Sequence, residues 1–181
     1  MSRPLLLDLF CGAGGAGMGY YRAGFDVVGV DINPQPNYPF RFIQGDAVDF
    51  LKRTLWDFSA IHGSPPCQAS CTLTKGTNQG REYPQLIPAI RQLLYERWHS
   101  TPSVIENVQG SDLRRDLTLC GEMFGLAVIR HRYFEIANFD MMQPPHVKHR
   151  GRVAGYRHGE WFEGPYFAVY GDGGGKGSID Q

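Results

Sequence analysis

Apolar residues fall along the chain in short runs, each bounded by glycine, proline or an acid. Leu5, Leu6, Leu7, Leu9 and Phe10 form the first run, which suits a buried parallel strand. Residues 26–30 form a second that ends on Asp31, and Phe40-Arg41-Phe42-Ile43 alternates weakly as a third. Residues 58–63 read as a fourth strand and residues 103–108 as a fifth. Helices are predicted between them. One follows the glycines at 12, 14, 15, 17 and 19, and one covers residues 47–55. An amphipathic helix opens at Tyr83-Pro84-Gln85-Leu86-Ile87 and runs to about Trp98. Residues 117–124 are expected as a short helix. Residues 130–136 are expected as a strand with its arginines on one face.

Length and charge set the bounds. The 181 residues suffice for one domain with a sizeable core. Formal net charge is zero, so a nucleic-acid partner would be held by a local basic patch and not by the overall field. Cys11, Cys67, Cys71 and Cys120 fit neither paired CxxC zinc ligands nor a dense disulfide scaffold. No signal-peptide core and no membrane-length apolar run occurs. A reducing cytoplasm is the default expectation.

The candidate chemistry sits where strands end. Glycines after the first strand let the backbone turn sharply and approach a ligand. Asp31 can accept from ribose hydroxyls, as in dinucleotide sites, or the stretch is a plain tight turn. Asp46 follows the third strand and can accept from an adenine amino group, cap the helix behind it, or do both. Cys67 follows the fourth strand and two prolines. A lone cysteine there is commonly a packing residue, but the Pro65-Pro66 preface and the polar stretch 69–83, which reads as a lid, favour a nucleophile. Glu106 ends Ser-Val-Ile on the fifth strand, a poor place for a solvated surface acid, which favours a site role. Cys11, Cys71 and Cys120 read as packing residues. The histidines at 131, 146, 149 and 158 match no standard ligand spacing, and no metal is expected. Gly171-Asp172-Gly173-Gly174-Gly175-Lys176-Gly177 lacks the ending of a P-loop and reads as a flexible tail.

Taken in order, Asp8-Leu9-Phe10-Cys11-Gly12-Ala13-Gly14-Gly15, Asp31, Gly45-Asp46, Pro65-Pro66-Cys67-Gln68, Glu106-Asn107-Val108 and Arg130-His131-Arg132-Tyr133-Phe134 resemble the catalytic domain of DNA cytosine carbon-5 methyltransferases over residues 4–140. The resemblance implies an α/β, Rossmann-like S-adenosylmethionine-dependent methyltransferase fold, a mostly parallel sheet with helices on both faces. It implies S-adenosyl-L-methionine as cofactor and S-adenosyl-L-homocysteine as product. Phe10 would stack on the adenine and Gly12, Gly14 and Gly15 would pass the methionine part. Asp31 would hold the ribose with Ile32 beside the base, and Asp46 would take the adenine amino group. Asp8, Cys11, Ala13, Ala47 and Pro65 complete the implied cofactor set.

The same resemblance implies catalysis by Cys67, Glu106 and Arg132, with Arg130 beside it. Carbon 5 of cytosine is a poor nucleophile until a thiolate adds at carbon 6. Cys67 would supply that thiolate, Glu106 a proton or hydrogen bond at ring nitrogen 3, and Arg132 a hold on the carbonyl at position 2. In double-stranded DNA the base would have to be flipped out. Gln68, Ser70, Lys75 and Asn107 would contact the nucleic acid. So would Lys148, Arg150 and Arg152, which lie in the acid-free stretch 146–158 and fit phosphate contacts or a solvated loop alike. Residues 1–140 are expected as the catalytic domain. Residues 141–181 are expected as a short basic, then glycine-rich segment, a reduced or truncated target-recognition region. A second polypeptide supplying recognition is one expectation, in a bacterial or phage-infected cytoplasm. Two other readings stand beside the first: the same chemistry on free cytidine nucleotide or RNA, and a non-catalytic cofactor- or DNA-binding subunit.

Overall fold

The structure is a computed structural model that describes residues 2–66, 85–167 and 169. In chain order its elements are β1 (Leu5–Leu9), α1 (Gly15–Arg22), β2 (Asp26–Asp31), β3 (Arg41–Gln44), α2 (Ala47–Arg53), β4 (Ala60–Gly63), α3 (Leu86–Glu96), β5 (Ser103–Val108), β6 (Leu117–Cys120), a 3-10 turn (Gly121–Phe124), β7 (His131–Ala137), β8 (Gly155–Arg157) and β9 (Glu160–Phe162). Among the described residues no helix is long and apolar enough to cross a membrane.

The first seven strands form one sheet in the order β3-β2-β1-β4-β5-β7-β6. β1 pairs in parallel with β2 and β4, β2 with β3, and β4 with β5. The strand order reverses between β1 and β4. In an open α/β sheet the crevice beyond the carboxyl ends at such a reversal is where ligands bind. Leu7, Leu9, Val28, Val30, Ile61 and Ile105 from the central strands are buried in one core with Leu51 of α2 and Ile87, Ile90 and Leu94 of α3. The buried positions of α3 recur three and four residues apart, the spacing of one helix face.

Local sequence sets both ends of α2. Asp46 caps α2 by accepting from the Asp49 backbone N–H at 2.8 Å. Asp49 in the first turn and Lys52 and Arg53 in the last match the helix dipole. The stretch 117–124, expected as a helix, is instead strand β6 followed by a 3-10 turn. Gly121 ends the strand where a Cβ would stand 2.8 Å from the Val128 carbonyl oxygen. That approach lets the chain fold back tightly where a helix would have continued.

The chain divides into two compact units, Met1–Leu117 with Tyr133–Met141, and Thr118–Arg132 with Met142–Gln181. The first holds the core just described. The second contains the β8–β9 hairpin, whose turn residues His158 (φ 52°) and Gly159 (φ 87°) are both left-handed, the geometry of a tight primed turn.

Candidate functional site

The turn after β1 is stitched by its own backbone. The Cys11 N–H donates to the Val30 carbonyl at 3.2 Å and the Gly14 N–H to the Cys11 carbonyl at 3.0 Å. Phe10 (φ 57°), Gly12 (φ 49°) and Gly14 (φ 92°) all occupy the left-handed region. For a residue with a side chain this costs about 1–2 kcal/mol, and such strain concentrates at ligand sites. Asp31 closes the turn from the neighbouring strand end. Its Oδ2 accepts from the Gly12 N–H at 3.0 Å and its Oδ1 from the Asn33 N–H at 2.9 Å. A carboxylate has about four acceptor sites, so capacity for hydroxyl donors remains. Among the described residues, nothing beyond the local chain lies within 4 Å of where a Cβ would stand at Gly12 or Gly15. Ile32 is 65% exposed beside Asp31, and Asp46 is exposed beyond β3 with Ala47 buried behind it. An open backbone cradle, an anchored acid, an exposed apolar side chain and a second acid fit an adenosine-containing ligand.

Beneath the turn lies a polar layer. Asp8 is buried in β1 and accepts from the Tyr38 hydroxyl at 3.2 Å. Burial raises its pKa to about 6, against the pull of Tyr38 and the Gly17 N–H. Burial, then the carboxylates of Asp8 and Asp31, push the Cys11 thiol up to about 12. Cys11 is therefore a thiol and not a nucleophile at neutral pH. His62 of β4 stands level with Asp8. Its Nδ1 lies 3.1 Å from the Tyr20 hydroxyl and its Nε2 2.8 Å from Ser64 Oγ. Burial lowers its pKa to about 4. This Tyr20–His62–Ser64 chain ends one residue before Pro65. Sequence reasoning missed it, because His62 lies within an apolar strand and its partner on α1 is 42 residues away.

At the end of β4, Pro65 is buried and its carbonyl accepts from the Asn107 side-chain amide at 2.7 Å. Asn107 also accepts from the Val108 N–H through its Oδ1 at 2.9 Å. Asn107, expected at the nucleic acid, is buried and bonded to the backbone that precedes Cys67. Glu106 is half-buried one position beyond Ile105, the residue level with Gly63. Cys67, Gln68, Ser70, Lys75, Cys71, the expected lid and the glycine-rich tail lie outside the described residues.

The remaining candidates lie in the second unit. Arg130 donates to the Val169 carbonyl at 3.2 Å and Arg132 to the His131 carbonyl at 2.9 Å. Lys148 and Arg152 are exposed. The Arg150 guanidinium donates to Glu122 Oε1 at 3.0 Å, and its backbone N–H donates to the Tyr166 hydroxyl at 2.7 Å. The second unit also gathers Cys120, His131, His146 and His149, with one donor atom from each lying within 4.8 Å of the others. No metal was expected from the spacings. The one sequence signal was His146 and His149 three residues apart, and the fold adds Cys120 where the sequence had suggested His158.

The model of a family described as C-5 cytosine-specific DNA methylase matches residues 5–158. The type II methyltransferase M.XorII of Xanthomonas oryzae is 57% identical over 41% of this chain and 22% of its own length. The type II methyltransferase M.FnuDI of Fusobacterium nucleatum is 28% identical over 61% of this chain and 34% of its own. The chain thus spans 22% and 34% of the lengths of these two relatives. Among solved structures, a mutant DNMT2 of Spodoptera frugiperda aligns with a TM-score of 0.54 at 21% identity, over 75% of this chain and 50% of that one. The Dnmt2 methyltransferase of S. pombe aligns with a TM-score of 0.50 at 19% identity, over 77% and 51%. Both support the same α/β fold.

Proposed function

Because the chain belongs to the family of C-5 cytosine-specific DNA methylases, we propose that it transfers a methyl group from S-adenosylmethionine to carbon 5 of cytosine in double-stranded DNA. The observation that carries this reading is the convergence of strand ends at the sheet reversal. The glycine turn and Asp31 stand at the ends of β1 and β2, Pro65 two residues beyond β4 and Glu106 two residues short of the end of β5, with Gly63 level with both Leu9 and Ile105. Asp31 would hold the ribose hydroxyls, Asp46 the adenine amino group, and Phe10 and Ile32 the faces of the base. Gly12, Gly14 and Gly15, with the backbone of Cys11 and Ala13, would line the methionine part. Asp8 supports the turn from below, as Ala47 supports the Asp46 cap. S-adenosylmethionine supplies, when bound, the electrophilic methyl group that carbon 5 accepts.

The remaining steps belong to the chain. The Cys67 thiolate forms a bond to carbon 6 of the flipped cytosine, and the electron pair of the 5,6 double bond moves to carbon 5. Glu106 protonates or strongly hydrogen-bonds ring nitrogen 3, which draws off the developing charge. Arg132, with Arg130 beside it, holds the carbonyl at position 2. After methylation a base, for which water suffices, takes the proton from carbon 5. The double bond re-forms and the thiolate leaves, so Cys67 ends as it began. Gln68, Ser70, Lys75, Lys148 and Arg152 would meet the DNA. Arg150, which is exposed, would meet it as well, and Asn107 acts as a positioning residue through its bond to the Pro65 carbonyl. This reading places the chain in a bacterial or phage-infected cytoplasm.

The test is methyl transfer from labelled S-adenosylmethionine to duplex DNA and, separately, to deoxycytidine monophosphate, read as 5-methylcytosine after digestion. Label in duplex cytosine that is lost in Glu106→Gln is the expected result. Label on the free nucleotide and none on duplex would overturn the DNA assignment.

A further inference from the structure

The Cys120, His131, His146 and His149 cluster has the composition and geometry of a closed metal site. The His131 and His146 Nε2 atoms are 2.9 Å apart, and those of His149 and His131 3.3 Å. The three ring centroids are 5.0, 5.1 and 5.0 Å from one another. Around a tetrahedral zinc ion, Zn–N lengths of about 2.0–2.1 Å imply N···N edges of roughly 3.3–3.4 Å. The rings therefore stand close to ligand spacing, with the Cys120 sulfur as the fourth donor within 4.8 Å. A thiolate with three imidazoles is a donor set that suits zinc above calcium, magnesium or manganese.

Two further observations point the same way. Glu122 Oε2 lies 2.6 Å from His149 Nδ1. With Nδ1–H donating to that carboxylate, the Nε2 lone pair faces the cluster, which is the usual outer support of a zinc-bound histidine. Arg150 holds the other oxygen of Glu122 at 3.0 Å. The second observation is how little else holds this unit together. Among its described residues only Cys120 and Tyr166 are buried hydrophobics, whereas Phe124, Met142, Tyr156, Trp161 and Phe167 are exposed. A unit with so small a core ordinarily needs a metal or disulfide staple. The four ligands come from the end of β6, the start of β7 and the segment between β7 and β8, so one ion would tie together three stretches of the unit.

We propose that the second unit binds one zinc ion through Cys120 Sγ, His131, His146 and His149, with Glu122 orienting His149, and that the site is structural because all four positions are taken by protein. None of its four ligands is a residue assigned to the methyl-transfer chemistry.

The test uses the full chain without a histidine tag. Metal content is measured after purification, and the chelator-stripped protein is titrated with Co2+ and then Zn2+. The expected result is one zinc per chain. Cobalt should give the intense visible bands of a tetrahedral site with a thiolate-to-cobalt charge-transfer band, displaced by zinc. Cys120→Ser should lose that charge-transfer band. His146→Asn, at an exposed ligand and so least able to disturb folding, should weaken binding at least tenfold. Glu122→Gln should weaken it roughly 10–100-fold, and His158→Asn should bind as the parent does. Sub-stoichiometric metal with no saturable cobalt spectrum in the folded parent chain would overturn the proposal. So would binding that Cys120→Ser and His146→Asn leave unchanged.

Discussion

The Asn107 side-chain amide donates to the carbonyl of Pro65 at 2.7 Å, tying the end of β5 to the turn that precedes Cys67. Both partners are buried. Removing the donor leaves a carbonyl without its partner, at a cost of about 1–3 kcal/mol. Asn107→Ala should lower stability by that amount in denaturant unfolding. It should also slow methyl transfer at least tenfold at a temperature where the variant is fully folded. A variant that loses stability but keeps its rate would show that this bond does not position Cys67.

Asp8 and His62 titrate in opposite senses. Asp8 is neutral in the fold up to about pH 6, against an ordinary value of 3.8. Its contribution is present below about pH 4 and is lost as pH rises through 6. His62 is held neutral down to about pH 4, against an ordinary 6.5. Its contribution is present above 6.5 and is lost as pH falls through 4. Each shift corresponds to about 3 kcal/mol, so between pH 4 and 6.5 the two offset one another. Relative to the parent, Asp8→Asn should lose stability on acidification across that window. His62→Gln should gain relative stability on the same acidification. Unfolding midpoints at half-unit pH steps give both difference curves, and parallel curves for all three proteins would refute the assignment.

Gly15 and Gly29 should separate binding from folding. Among the described residues, a Cβ at Gly15 meets nothing within 4 Å beyond the local chain, while one at Gly29 would stand 2.3 Å from the Tyr38 ring. Gly15 opens α1, where alanine is favoured over glycine by about 0.5–1 kcal/mol. Gly15→Ala should therefore keep or raise the melting temperature while weakening S-adenosylmethionine binding at least tenfold by calorimetry. Gly29→Ala should displace Tyr38 from Asp8 and unfold at markedly lower denaturant.

Glu135 gathers three donors in the first unit: Arg91 Nε at 2.7 Å, Arg91 Nη2 at 2.8 Å and the Arg114 backbone N–H at 2.9 Å. Its carboxyl is held below the usual range by these partners, although burial opposes them. Glu135→Ala should cost on the order of 3 kcal/mol. Arg114→Ala removes a mostly exposed pair with Asp116 and should cost under about 1 kcal/mol. Equal losses in the two variants would contradict this ranking.

What the sequence made legible was whatever depends on near neighbours. The five strands that end at Leu9, Asp31, Gln44, Gly63 and Val108 announce themselves by apolar runs and the turn residues near their ends, and Asp46 by its place before a helix. Pairings across the chain did not announce themselves. Asn107 and Pro65 are 42 residues apart, and nothing local distinguishes an asparagine that braces a turn from one that meets DNA. Residues 117–124 have helix-compatible composition, and the place of β6 beside β7, with the close approach of Gly121 to Val128, breaks them into strand and turn. The gathering of the histidines is equally nonlocal. Their separations follow no chelating motif, and the fourth donor, Cys120, reads as a packing residue until β6 and β7 bring it beside His131.

The central claim is that Cys67 attacks a cytosine in DNA, and one measurement reaches it directly. Duplex DNA carrying 5-fluorocytosine is incubated with the protein and S-adenosylmethionine, and the products are separated under denaturing conditions. Fluorine cannot leave carbon 5 as the proton does, so the thiolate cannot depart. A protein–DNA adduct that forms with the parent and is absent from Cys67→Ser is the predicted result. An adduct that survives Cys67→Ser, or no adduct from protein shown to bind S-adenosylmethionine, would contradict the account.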